Sequence, residues 1–363
     1  MLSRALRIAT LATASLSFSL VAGCAADATL EPTSDVSEPD TLVGSTSSAL
    51  STFDWSPSVN VGPDAQAARY GGAMATLNGV TYMVHSGDSS PENLWWTRLD
   101  GGQFAVDTQI PNQYASQKVS LAAFNGYLYL FHNGQSDTTA IWVSRFDPAT
   151  QTWTQNFKLP FTSKYTPAIA AYGGRLRMVG TSPSTNQVWT ATLDASETLS
   201  PQFYVPNVYS ASRLSAAVFA NQFHVAHRNG STTNLAVTRF DGTSWSLPGI
   251  PTVGGVAFLQ GYEAQIAAHD GYLHLVHTRP GSLSVYWTYL NGASWAPEVT
   301  LGTRYSTTPP SLAQGGTGLV LSTTFNYQPS GQALSRRLMF SQYTSPRTSG
   351  PILVDPGPIL VKP

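Results

Sequence analysis

Four histidines recur at one place in a repeating pattern. His85, His132, His227 and His277 each stand seven residues after a turn that begins at Asn78, Asn125, Ala220 or Asp270. Imidazoles can ligate a metal, move protons or hydrogen-bond hydroxyls. Two ligands of one zinc ion, with Zn–N bonds of about 2.0–2.1 Å, must lie within ~4 Å of each other. These four lie on different repeats, on the second strand of each and so away from the centre, where they cannot meet around one ion, and no metal is expected. Two roles remain: a hydrogen-bonded tie from each histidine to a neighbouring segment, or one sugar contact per repeat.

A second set precedes the apolar run that opens each repeat: Arg69 and Tyr70, Lys118, Lys164 and Tyr165, Arg213, Tyr262 and Glu263, Arg304 and Tyr305. Cations beside tyrosines can bond sugar hydroxyls or an acidic sugar, and the rings can stack on a pyranose face. The competing reading is solvated loop charge. Hydrolysis needs two carboxylates, or a tyrosine activated by one. Acids on the same side are few, namely Asp88, Glu92, Asp137 and Glu263. No phosphate loop, Ser-His-Asp pattern or dinucleotide fingerprint stands out, and no cofactor is expected.

The elements that carry these residues are strands. LNGVTYMVH, FNGYLYLFH, YGGRLRMVG, FANQFHVAH, HDGYLHLVH and GGTGLVLST each join a turn to period-2 alternation, the mark of a hairpin entering a half-buried strand. Their turns begin at Asn78, Asn125, Gly173, Ala220, Asp270 and Gly316, with spacings of 47, 48, 47, 50 and 46 residues. Six all-β units of that length predict a six-bladed β-propeller of four-stranded antiparallel blades over residues 51–344. Alanine pairs at 122–123, 170–171, 216–217 and 267–268, with Ala73 and Ala75, suit inner strands crowded at an axis.

A second turn, TRFDGTSW at 238 with relatives RFDPATQTW, YLNGASW and RLDGGQF, leads to an outer aromatic: Phe104, Trp153, Trp245 or Trp295. The third unit offers only Leu199, which predicts a degenerate blade. FDWSPSVNVG at 53 matches SWAPEVTLG at 294, so the N-terminal segment is expected to complete the last blade and remove the open edge. Trp95, Trp142, Trp189 and Tyr286, at matched positions, are expected to pack between blades.

Only 11% of residues are charged and the net charge is -1, which leaves no electrostatic footprint for nucleic acid. Arg4 and Arg7 precede an apolar stretch too short for a durable span, so residues 1–23 read as an export leader. Leu20-Val21-Ala22-Gly23-Cys24 resembles the bacterial lipobox, which implies lipid on Cys24 and membrane contact through that anchor alone. Ala25 after it implies the outer membrane or cell surface. Residues 24–50 read as a flexible linker and 345–363 as a Pro-rich tail.

LAVTRFDGTSW with FANQFHVAH upstream resembles the bacterial and fungal propeller lectins that bind fucose and related sugars. In that family a strand arginine and a glutamate on the next strand hold the sugar beside an aromatic; His224 and Val237 fall at those places. The resemblance implies a surface-anchored, non-catalytic carbohydrate-binding propeller. TRFDGTSW is also similar to the Asp box of sialidases. That likeness implies the alternative of a glycoside hydrolase using Tyr262 with Glu263, and Arg69, Arg213 and Arg304 on a substrate carboxylate. A protein-binding scaffold is the other alternative.

Overall fold

The computed structural model describes residues 55–62, 66–261, 263–316, 318–327 and 335–343. The expected leader 1–23, Cys24, the linker 24–50, Tyr262 and the tail 345–363 lie outside them. Every regular element among the described residues is a β-strand. Six inner strands, Gly72–Leu77, Ser120–Phe124, Ala168–Tyr172, Ser215–Phe219, Gln265–His269 and Ser311–Gln314, stand in a ring in which each touches the next and the last touches the first. Each opens a blade of antiparallel strands running outward.

The hairpins follow from their turn residues. Asn78 and Gly79 have φ of 52° and 79°, and Asp270 and Gly271 have 47° and 77°. Two consecutive left-handed residues match the twist of the flanking strands, which is why Asn-Gly and Asp-Gly recur. Counted from the turn, Ala75, Ala122, Ala170, Ala217, Ala267 and Ala313 share one position on the inner strands. Six out of six is a steric demand: larger side chains would collide where the strands converge.

The core is divided six ways, one apolar cluster between each pair of neighbouring blades. Leu94 and Ile110 of blade one pack with Val119, Leu128 and Phe146 of blade two; Met83 and Phe104 of blade one pack with Leu338 and Phe340 on its other side. Each large apolar side chain buried this way contributes about 1.5–3 kcal/mol, so the blades are held by their interfaces as much as by their sheets.

The ring closes as the sequence predicted. Val59–Asn60 pairs with Ser335–Tyr343, with Val59 opposite Phe340 and Asn60 opposite Met339, and Trp55 bridges Tyr343. Trp55 is buried, edge-on to Trp287 at 5.6 Å.

Two expectations are corrected. Blade three is complete: Phe203–Tyr209 pairs with Gln187–Leu193, and Leu199 bridges Leu193 in place of the missing aromatic. The irregular blade is the fourth, a three-stranded sheet beyond which Trp245, Gly249 and Leu259 make isolated bridges, to Phe240, Val237 and Asn234. Pro248 and Pro251 interrupt that stretch and lack the N–H a ladder needs. Of the four matched aromatics on the third strands, Trp189 is fully buried, whereas Trp95, Trp142 and Tyr286 are half-buried and lie opposite histidines. Blade three has Gly180 where those histidines stand; a Cβ there would lie 2.2 Å from Trp189 Cζ2. The indole occupies the histidine's space.

Candidate functional site

Strand alternation decides where each predicted residue goes. His85, His132, His227 and His277 end the second strand of four blades, and each is at most 1% exposed. Their Nδ1 atoms lie 3.2–3.4 Å from the carbonyl oxygen of the following residue, Ser86, Asn133, Arg228 or Thr278. Their Nε2 atoms reach outward. His85 meets Asp107 Oδ2 at 3.1 Å, His132 meets Asn156 Nδ2 at 3.4 Å, and His277 meets Glu298 Oε1. Asp107, Asn156 and Glu298 each follow the outer aromatic by three residues. Pro248 stands at that place in blade four, and His227 turns to Thr238 Oγ1 at 3.0 Å instead. Burial holds His132 and His227 down at about 4, so they are neutral at pH 7. All four tie strands within their own blade, and none presents a nitrogen to solvent.

The segments leading into the inner strands do converge. Lys118, Arg213 and Glu263, each two residues before an inner strand, meet at the axis although they come from blades two, four and five. Lys118 Nζ donates to the Pro310 carbonyl at 2.6 Å and lies 3.5 Å from Glu263 Oε1. Arg213 Nε faces Glu263 Oε2 at 3.2 Å in an ionic contact, while its Nη atoms donate to the carbonyls of Lys118 and Val119 and to Ser120 Oγ. Gln265 Nε2 donates to Glu263 Oε1. Desolvation lowers the Lys118 ammonium to about 8 against the pull of Glu263. The three line an axial cavity of about 70 Å³.

Around this mouth stand two cation–tyrosine pairs, each fixed by a loop between second and third strands. Arg69, 42% exposed, donates to Glu92 Oε1 at 2.5 Å and lies 5.7 Å from the Tyr70 ring centroid. Gln135, from the corresponding loop of blade two, donates to Glu92 Oε2 at 2.9 Å. Burial, with Glu92 nearby, raises the Tyr70 hydroxyl above its usual range. Lys164 donates to Asn186 Oδ1 at 2.8 Å and sits 5.7 Å from the Tyr165 ring, whose hydroxyl donates to the Ala211 carbonyl. Tyr305 is exposed.

Arg304 has a different use. It is buried between blades five and six, donating to Leu301 O at 2.8 Å, Ser341 Oγ at 3.0 Å, Trp55 O at 3.2 Å and Ser56 O. Gln66 and Gln113 make the same kind of tie, to Ala105 O and Thr154 O of the next blade. Arg69, Arg213 and Arg304 therefore serve three separate sets of partners, and the arginine clamp expected for a hydrolase is not assembled. His224 is buried with Arg239 opposite, and Val237 pairs with Gly249, so neither stands as a sugar contact.

Sequence reading missed two surface trios. Arg145 lies 4.3 Å from the Tyr127 ring and 2.6 Å from Glu197 Oε1, which also accepts from Tyr129. Arg279 lies 4.3 Å from the Tyr286 ring and pairs with Glu298, the partner of His277. Arg279 follows His277 by two residues, a signal available in the sequence. Glu197 is 52 residues from Arg145, and only the blade contact joins them.

No family model matches the sequence, and no curated protein matches it. Solved structures share the fold. AofleA from Arthrobotrys oligospora superposes with a TM-score of 0.58 at 11% identity, covering 78% of this chain and 86% of that one. A protein of unknown function from Dyadobacter fermentans gives 0.56 at 14%, covering 79% and 98%. SapL1 lectin, in complex with alpha methyl fucoside, gives 0.51 at 13%, covering 78% and 98%. These likenesses establish the six-bladed propeller, with a lectin among its structural neighbours.

Proposed function

We propose that this protein binds carbohydrate, as a binding protein and not a hydrolase, on the face that carries the axial mouth. The observation that carries the reading is the Arg69–Tyr70–Glu92–Gln135 cluster. A half-exposed guanidinium is held between a carboxylate and a tyrosine ring, with a side-chain amide beside it. Such a group offers preset donors, acceptors and an aromatic face to a polyol, and presetting reduces the entropy lost on binding. Lys164, Tyr165 and Asn186 repeat the theme two blades on, and Tyr305 adds an exposed ring. The lectin with a bound fucoside among the structural neighbours supports the same reading. Weak sites on separate blades gain by simultaneous engagement of a multivalent glycan. Lipid on Cys24 would hold the propeller at the outer surface of a bacterial cell, where such glycans are met.

The test is a glycan array followed by titration of the best binder. Arg69→Ala is expected to weaken binding about tenfold, or about 1.4 kcal/mol. An array without a single binder would refute the reading.

A further inference from the structure

The axial cavity has an imbalance that sugar binding at the rim does not use. Its charged lining is Lys118, Arg213 and Glu263, two cations against one carboxylate, each no more than 8% exposed. Glu263 is already engaged by Lys118, Arg213 and the Gln265 amide. The hydroxyls beside them are left as donors. Ser120 Oγ accepts from Arg213 Nη2, and Ser215 Oγ accepts from the Ile266 amide, so each keeps its own proton to give. Lys118 has three N–H groups, of which one goes to Pro310 O and one toward Glu263. Both serines and the lysine line the same space. At about 70 Å³ it is several times the ~10–15 Å³ one water needs, yet too small for a pyranose. Buried net positive charge among hydroxyl donors is costly unless an anion enters.

We propose that the axial cavity is a small-anion site, taking a halide or a short carboxylate such as formate between Lys118 Nζ and the hydroxyls of Ser120 and Ser215. Glu263 acts as the internal counter-charge that limits the site to one negative charge. Occupancy locks together segments leading into blades two, four and five, so the anion stabilises the ring independently of any sugar.

The test is thermal unfolding of the purified protein titrated with sodium chloride and, separately, sodium formate. Sodium gluconate, whose anion is too large for the cavity, keeps ionic strength constant. A saturable rise in Tm with either small anion is expected, and the anion that saturates at the lower concentration is the better occupant. Glu263→Gln should lower the half-saturating concentration about tenfold, and Ser215→Ala should raise it about fivefold. Lys118→Met should abolish the effect; if that variant does not fold, the opposed shifts of the other two still decide. A Tm set by ionic strength alone, or half-saturation unmoved by Glu263→Gln and Ser215→Ala, would overturn the proposal. Glycan binding is read in separate titrations, so either idea can fail alone.

Discussion

The strand-end histidines and the segments that lead into the inner strands are both repeated polar sets, yet they end in opposite situations. His85, His132, His227 and His277 sit on second strands, where the blades have begun to diverge, and each finds its partners within its own blade. Lys118, Arg213 and Glu263 sit where the strands meet the axis, and residues from three blades share one cavity. Equivalence in a repeat means equal radius and not proximity. Only near the axis do equivalent positions become neighbours, so a repeated residue carries joint chemistry there and structural duty farther out.

Acid should separate the two sets most strongly. Burial holds His132, His224 and His227 at about 4 and His274 at about 3, against 6.5 as the ordinary value. Between pH 6.5 and 4 the unfolded chain binds more protons than the folded one. The stabilisation is therefore complete above 6.5 and is lost as pH falls, by about 1.4 kcal/mol per pH unit for each histidine. Urea midpoints measured from pH 7 to pH 4.5 should fall steeply, and a His132→Asn, His227→Asn double variant should flatten the slope by about 3 kcal/mol per unit. A flat profile in the parent protein would remove the histidines from the structural account.

Arg304 sharpens the comparison next. It lies in the outer strand Val299–Tyr305 of blade five, whereas Arg213 stands two residues before an inner strand, and its donors go to the carbonyls of Trp55 and Ser56, which closes the ring. Arg304→Met should cost roughly 3 kcal/mol in denaturant unfolding by leaving buried carbonyls unpaired, with glycan affinity unchanged in the folded fraction. Lost affinity at full stability would return Arg304 to the ligand set.

Gly180 gives a smaller effect. A methyl there meets Trp189, so Gly180→Ala should destabilise by roughly 2 kcal/mol through overpacking. A neutral result would mean that the indole does not fill the histidine's place.

Much of this was legible in the sequence because it is local or periodic. The turn dipeptides, the 46–50-residue spacing and the match of Trp55 to Trp295 yielded six blades and their closure. The site was only partly legible. Arg213 and Glu263 were singled out with Arg304, but the count from the turn separates them: Lys118, Arg213 and Glu263 each stand seven residues before it and meet at the axis, whereas Arg304 stands twelve before it, in the strand Val299–Tyr305. For the histidines the sequence leaves a strand tie and a sugar contact both open, because the groups that meet three of them, Asp107, Asn156 and Glu298, lie 21–24 residues away. Blade four misleads: its aromatic turn looks complete, yet Pro248 with Pro251 breaks the strand that should follow.

The most direct test sets Arg69→Ala against His132→Asn in titrations with the glycan chosen on the array, at pH 7.5. If the rim binds and the histidines hold the blades, Arg69→Ala weakens affinity about tenfold at near-parental stability, while His132→Asn lowers stability and leaves affinity alone. Affinity lost in His132→Asn and kept in Arg69→Ala would contradict the account.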